Sequence, residues 1–311
     1  MKIVFYGLLL LPALAVADEQ PINWVDNSHA YATDSAQSLT LWMDDFFGDP
    51  SYDIERAESF LRVEFINDWD KEDGNDFKAR LRGQVQLPKI SQRVHLVFAD
   101  SDGGDLDEDE REEEDRIALN YTVTDSEITR LDATLGYSSS HLKPGIRFRA
   151  EDSFSNLYSY RFTQRVQYED GEGFYGTSLA DLNRAVGEDA AWRWSNRLVY
   201  GEKTDGAEWR TKFAFRQRFR EETNRPIGMS YFATINGVTR PDAFSKNYKL
   251  GVIFRQPIYR DYLFLELEPA YNFRRRELEY DRDGVWSLVM RLEIALEKDF
   301  RRGISREEDE T

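Results

Sequence analysis

Arg216, Arg218 and Arg220 stand two residues apart in WRTKFAFRQRFR, with Arg210 and Lys212 earlier in the same run. A spacing of two puts side chains on one face of a strand. A row of guanidinium groups breaks no bonds, but it attracts and orients carboxylates, phosphates and other anions. The pattern recurs at Lys78, Arg80 and Arg82 and at Arg147 and Arg149. With one position skipped it recurs at Arg161 and Arg165 and at Arg193 and Arg197. Little else in the chain offers chemistry. The three histidines, His29, His95 and His141, are scattered, and Ser138, Ser139 and Ser140 beside His141 read as turn residues rather than a nucleophile and its base. There is no cysteine, and no phosphate-binding loop, dinucleotide fingerprint or metal-ligand spacing. The expectation is a non-enzyme without cofactor or metal. The acidic run DSDGGDLDEDEREEED (100–115) holds eleven acids and Arg111. Carboxylates suit Ca²⁺ or Mg²⁺. Counted from Asp100, however, Gly104 and Asp105 fall at positions five and six, which is not the calcium-loop order. It reads as a solvated loop, with divalent bridging to lipopolysaccharide phosphates as a minor alternative.

The elements that must position these charges follow from the hydrophobic period, which is two from Ser59 onward. Phe77, Ala79, Leu81, Gly83, Val85 and Leu87 share a face against Lys78, Arg80, Arg82, Gln84 and Gln86. Leu263, Leu265, Leu267, Pro269, Tyr271 and Phe273 likewise oppose Phe264, Glu266, Glu268, Ala270, Asn272 and Arg274. Runs of this kind last about 10–14 residues, against about 5–6 for soluble strands, and a tilted strand crossing a bilayer needs about 9–11. The pattern predicts fourteen strands: 59–69, 76–87, 92–99, 115–124, 128–138, 143–151, 157–168, 173–184, 191–202, 207–220, 226–238, 246–256, 261–274 and 285–297. Twelve and sixteen are the neighbouring even counts.

Around this core, residues 1–17 read as a secretory signal. Lys2 precedes the apolar Ile3–Val16 stretch, and Ala15-Val16-Ala17 is an A-x-A-type cleavage site. Residues 18–58 then form a periplasmic extension, 59–300 the barrel and 301–311 a polar tail. No later stretch has 18 consecutive apolar residues, so any membrane crossing must use strands. A net charge of −17 argues against nucleic acid as a partner. The predicted connections alternate between short turns on one side and longer loops, including 100–114 and 275–284, on the other. Trp192, Trp194, Tyr200, Trp209, Tyr248, Tyr262 and Trp286 fall near strand ends, where interfacial girdles belong. A soluble sandwich of long strands would bury its apolar face against a second sheet; the leader, strand length, loop asymmetry and Arg-rich second face favour an antiparallel transmembrane β-barrel.

On WMDDFFGDP (42–50), EDGNDFKARLRG (72–83), EDGEGF (169–174), RWSNRLVYGEKTDGAEW (193–209), DYLFLELEP (261–269) and DGVWSLVMRLE (283–293), the chain resembles a Gram-negative outer-membrane β-barrel. Within that class it resembles a poorly characterised group of proteobacterial barrel proteins. The resemblance implies a porin-like fold and the outer membrane, with lipid and lipopolysaccharide as its surroundings. It implies no activity and no site residues.

The alternation gives the lumen face 22 basic side chains: Arg80, Arg82, Arg147, Arg149, Arg161, Arg165, Arg193, Arg197, Arg210, Arg216, Arg218, Arg220 and Arg255, with Arg62, Lys78, Arg93, Arg116, Arg130, Lys212, Lys249, Arg274 and Arg291. Against them stand nine acids: Glu64, Asp132, Glu151, Glu169, Asp181, Glu266, Glu268, Glu293 and Glu297. One reading is an anion-preferring pore that carries small anionic solutes. The other is a non-conducting structural or assembly-partner barrel, its interior filled by Arg–carboxylate ladders. On either reading Leu265 faces lipid and Glu266 faces a lumen that water reaches.

The N-terminal extension carries one further element. Leu39, Trp42, Met43, Phe46 and Phe47 stand at i, i+3, i+4, i+7 and i+8, the apolar stripe of an amphipathic helix. The helix is predicted over 35–47, stopped by Gly48 and Pro50. Residues 18–58 hold ten acids and one base, Arg56. An acidic helix at the inner mouth of a basic lumen has a natural partner there. Asp44 and Asp45 are expected to face Arg216, Arg218 and Arg220, and the helix is expected to act as a plug. Lying on the periplasmic leaflet and docking a periplasmic protein are the alternatives.

Overall fold

The computed structural model describes residues 39–40, 42–43, 46–47, 59–86, 93–98, 117–126, 128–138, 141–155, 157–219, 226–259 and 262–296. Fourteen strands follow in chain order: β1 Ser59–Asp70, β2 Gly74–Gln86, β3 Val94–Phe98, β4 Ile117–Asp125, β5 Thr129–Ser138, β6 His141–Ser155, β7 Tyr158–Glu169, β8 Gly173–Val186, β9 Ala190–Gly201, β10 Ala207–Phe219, β11 Ile227–Val238, β12 Phe244–Tyr259, β13 Leu263–Arg274 and β14 Asp283–Ala295. Each pairs antiparallel with the next. β14 returns to β1, from Arg62 opposite Ala295 to Asp70 opposite Ser287. Closure leaves no sheet edge, so every strand has a backbone partner on both sides, as a structure in hydrocarbon requires.

The strand count and order are those the period-two pattern predicts. The largest boundary change is β6, which runs to Ser155 rather than stopping near 151. The run Glu151–Ser155 is polar enough to read as a turn, yet it continues the ladder against Ser159, Tyr160 and Arg161 of β7. His141 opens β6 opposite Ser138 instead of lying in a connection. The β8–β9 turn contracts to three residues around Gly187, whose φ of 71° lies in the left-handed region that favours glycine.

Burial is inverted relative to a soluble protein. Phe77, Leu250, Trp286, Phe213 and Tyr200 point outward and are 52–62 % exposed, whereas Arg147, Arg216, Arg255, Lys143, Glu64 and Glu293 point inward and are among the most buried side chains. An apolar exterior with a charged interior is stable only where hydrocarbon is the outer solvent. The alternation makes a register test. Leu265 and Leu267 lie on the outer face of β13, Leu267 at mid-strand, fifth of its twelve residues, so Leu267→Arg should cost about 2–4 kcal/mol near the bilayer midplane. Outer-membrane recovery of the heat-modifiable form should fall at least tenfold; wild-type recovery would show the faces reversed.

Candidate functional site

Inside the barrel the strands present a nearly continuous ladder of ionised pairs. On β1, Glu64 lies opposite Glu293 of β14, a like-charge juxtaposition that destabilises a sheet if left alone. Arginines resolve it. Arg82 Nη2 stands 3.1 Å from Glu64 and 3.9 Å from Glu293. Arg62 donates to Glu293 at 3.0 Å and Arg255 at 2.7 Å. Arg255 also reaches Glu266 at 3.2 Å, and Arg291 pairs with the other oxygen of Glu266. Glu266, expected to meet water, is 3 % exposed; the correction follows from its two guanidinium partners, which enclose it.

The ladder continues round the wall. Asp132 accepts from Arg130 at 2.9 Å, from Arg147 at 3.1 Å and from Thr122 at 2.9 Å. Lys143 pairs with Glu169 at 3.2 Å, Arg161 with Glu151 at 3.1 Å, Arg193 with Asp181 at 3.0 Å and Lys249 with Glu268 at 2.7 Å. At the far rim Arg274 and Arg276 reach Asp73 at 3.1 Å each, joining the β13–β14 loop to the β1–β2 turn.

Of the predicted lining, Arg82, Arg147, Arg149, Arg161, Arg165, Arg193, Arg197, Arg210, Arg216 and Arg255 are buried on the inner face, with Arg80 and Arg218 half-buried there. Arg220 and Arg116 lie outside the described residues, as does the acidic run 100–115. Arg93 is corrected: it sits exposed in the turn before β3. Lys143 was missed; it has the parity of Arg147, and the strand pattern is weak just there. Among the buried described residues, fourteen Arg and Lys stand against seven Asp and Glu. Counted over these described residues alone, the wall carries an excess of positive charge.

The N-terminal helix enters this interior. Leu39, Thr40, Trp42, Met43, Phe46 and Phe47 are helical. Leu39, Met43, Phe46 and Phe47 are buried in a cluster with the inward-facing Ala185, Ala214, Phe232, Ile253, Phe264, Ala270 and Ala295, and Trp42 packs against it. Phe46 meets Phe264 edge-on at 6.1 Å and Trp42 stacks on Phe46 at 4.7 Å. The Arg218 guanidinium lies 4.4 Å over Trp42 and that of Arg216 5.2 Å over Phe47, contacts worth about 0.5–2 kcal/mol each, the more the drier the site. On the other side Ser159 of β7 donates to Thr40 at 3.4 Å. The described contacts of Arg216 and Arg218 with the helix are thus with its rings. Asp44 and Asp45 lie outside the described residues, and Arg218 is held from its own wall by Asp189 at 2.8 Å.

Four residues of this socket were not singled out by the sequence reading. Gly228 at the start of β11 presses so close that a methyl group there would sit 2.4 Å from Phe46 Cε1 and 2.8 Å from Phe47 Cζ. A glycine inside a strand pattern is the signal of close approach. The apolar Phe232, Ile253 and Phe264 occupy lumen parity, and their break in the polar face marked a dry patch.

A closed, even-numbered antiparallel barrel with a lipid-facing exterior and a charged interior is now complete. The chain is a 14-stranded β-barrel of the transmembrane type. No family model and no curated protein matches its sequence. The barrel is similar to a solved bacterial polysaccharide outer-membrane secretin (9 % identity, TM-score 0.47, covering 76 % of this chain and 97 % of that one). It is also similar to OprB of Pseudomonas putida (7 %, 0.46, 76 % and 92 %) and to a loop-deleted OmpT of Vibrio cholerae (8 %, 0.44, 76 % and 98 %). These likenesses concern barrel architecture alone. The helix reaches the barrel at the end where the chain enters β1 and leaves β14, the periplasmic end in barrels of this class.

Proposed function

We propose that the barrel is a pore or transport-type protein favouring small anionic solutes, closed at its periplasmic mouth by the N-terminal helix. The observation that carries this reading is the seat of Phe46 and Phe47 in a socket formed by inward-facing residues of six strands. A helix lying on the membrane would turn those rings to lipid. The excess of buried bases supplies the selectivity. The helix is free to leave, because its seat is built of side chains and not of a covalent tie.

The second reading, a non-conducting barrel kept shut by its own side chains, is favoured by the burial of the ion-paired ladder around Glu293 and Glu266. The two separate on ion flow. Current through a chain whose helix is displaced supports the gated pore; a silent bilayer supports the filled barrel.

Selectivity gives a further test. In a salt gradient across a planar bilayer, the conducting barrel should favour chloride over potassium. Arg197 and Arg210 lie directly opposite each other on β9 and β10 and are buried, away from the helix contacts of Arg216 and Arg218. Replacing both by Gln should lower the chloride preference severalfold without changing the closed fraction. Potassium preference in the intact protein would overturn the anion reading.

A further inference from the structure

The outward face of an outer-membrane barrel should be apolar at mid-strand, because hydrocarbon offers no hydrogen bonds. Four adjacent strands break that rule. Gln164 on β7, Ser178 on β8, Asn196 on β9 and Thr211 on β10 have outward parity and stand fifth to seventh in their strands. Elsewhere among the described residues, outward polar side chains such as Asn67, Gln217 and Gln256 stand nearer strand ends. The four bond in two neighbouring pairs. Ser178 donates to Gln164 Oε1, Gln164 Nε2 donates to the carbonyls of Arg165 at 3.3 Å and Thr177 at 3.2 Å, and Thr211 bonds Asn196 Oδ1. Gly176 and Ala180 lower the surface beside them, and a recess of about 360 Å³ opens against Ser178, Ala180, Asn196, Leu198, Trp209 and Thr211.

We propose that this patch is a self-association face, the site where a second copy of the chain docks within the outer membrane. An amide offers two donors and two lone pairs, so the internal bonds leave hydrogen-bonding capacity directed at the surroundings. In lipid that capacity is wasted, and it is used when a polar group of another chain stands at the same depth. Insertion gives every copy the same orientation and depth. A two-fold axis along the membrane normal therefore lays this patch of one copy against the same patch of the other, residues of β7 and β8 facing those of β10 and β9, as an isologous interface requires. The patch carries no charge, so like faces do not repel. Toward the periplasmic side it is flanked by Trp194 stacked on Phe213, both more than 40 % exposed, which extends the contact with apolar area.

The absence of cysteine from the chain makes a direct test. Ser178→Cys should form a disulfide-linked dimer in oxidised outer membranes, and Met290→Cys, outward on β14 but away from the patch, should not. Gln164→Leu with Asn196→Leu should keep heat-modifiable migration, since apolar residues suit that face, and should lower the dimer fraction at least tenfold by sedimentation in mild detergent. A wild-type chain that sediments as a monomer, equal crosslinking at residues 178 and 290, a crosslink from residue 178 to a different protein, or a double-leucine chain that stays dimeric would each overturn the proposal.

Discussion

Removing residues 18–58 should open the barrel, with single-channel conductance in planar bilayers rising from near silence to a steady current. The expectation rests on what the helix buries. Exposing Phe46 and Phe47 to water costs about 1.5–3 kcal/mol each, and Leu39, Met43 and Trp42 add to that, so the docked helix dominates and the intact chain conducts little. Deletion removes both the obstruction and a segment with a sequence charge of −9 that would compete with solute anions for the lumen bases. Two full-length variants separate these effects. Gly228→Leu places a side chain where Phe46 and Phe47 sit, and should displace the helix while leaving every acid in place. Phe46→Ala with Phe47→Ala should act in the same direction by emptying the socket. If the acidic segment also matters, its effect should weaken in high salt, whereas displacement by Leu at 228 should not. Silence of all three variants would end the gate reading and leave the filled barrel standing.

Glu293→Gln should lower the stability of the folded barrel by about 3–5 kcal/mol, the cost of breaking a buried ion pair from one side. Glu293 is 1 % exposed and takes Arg62 and Arg255 directly, with Arg82 at the edge of contact. Gln keeps the shape but removes the charge, and turns one oxygen into a donor facing guanidinium donors. The measurement is the urea midpoint for loss of heat-modifiable migration in detergent or lipid. Asp76→Asn is the contrast: its pair with Lys78 spans 3.4 Å at the exposed rim, and such pairs contribute about 0–1 kcal/mol. Equal midpoints for the two variants would show that the ladder around Glu293 does not hold the wall.

The legible part of this molecule was its wall. Phe77–Gln86 and Leu263–Arg274 announce their faces because period two is a local property, fixed by the pleat and independent of distant contacts. Length then separates a bilayer-crossing strand from a soluble one. Of the thirteen proposed lining arginines, the twelve that lie among the described residues have inward parity for the same reason, since parity within a strand assigns the face. Where the local signal was weak the reading slipped. Lys143 was passed over at the ragged start of β6, and Arg93 was placed on the lumen face although it lies in a turn.

By itself the sequence determined a β-barrel of about fourteen strands, an inside-out distribution of charge and a helix with one apolar stripe, because each depends on residues close together along the chain. Only the tertiary structure decided where that stripe goes. Its socket gathers Ala185, Phe232, Ile253, Phe264 and Ala295 from five different strands, and closure of the barrel alone brings them to one place. Only closure, too, joins Glu64 and Glu293, 229 positions apart by their numbering, and so turns a charge census into a ring of pairs. The polar patch on β7–β10 belongs to the same category. Gln164, Ser178, Asn196 and Thr211 are ordinary residues in four separate runs, and they become one surface because neighbouring strands hold them at one depth.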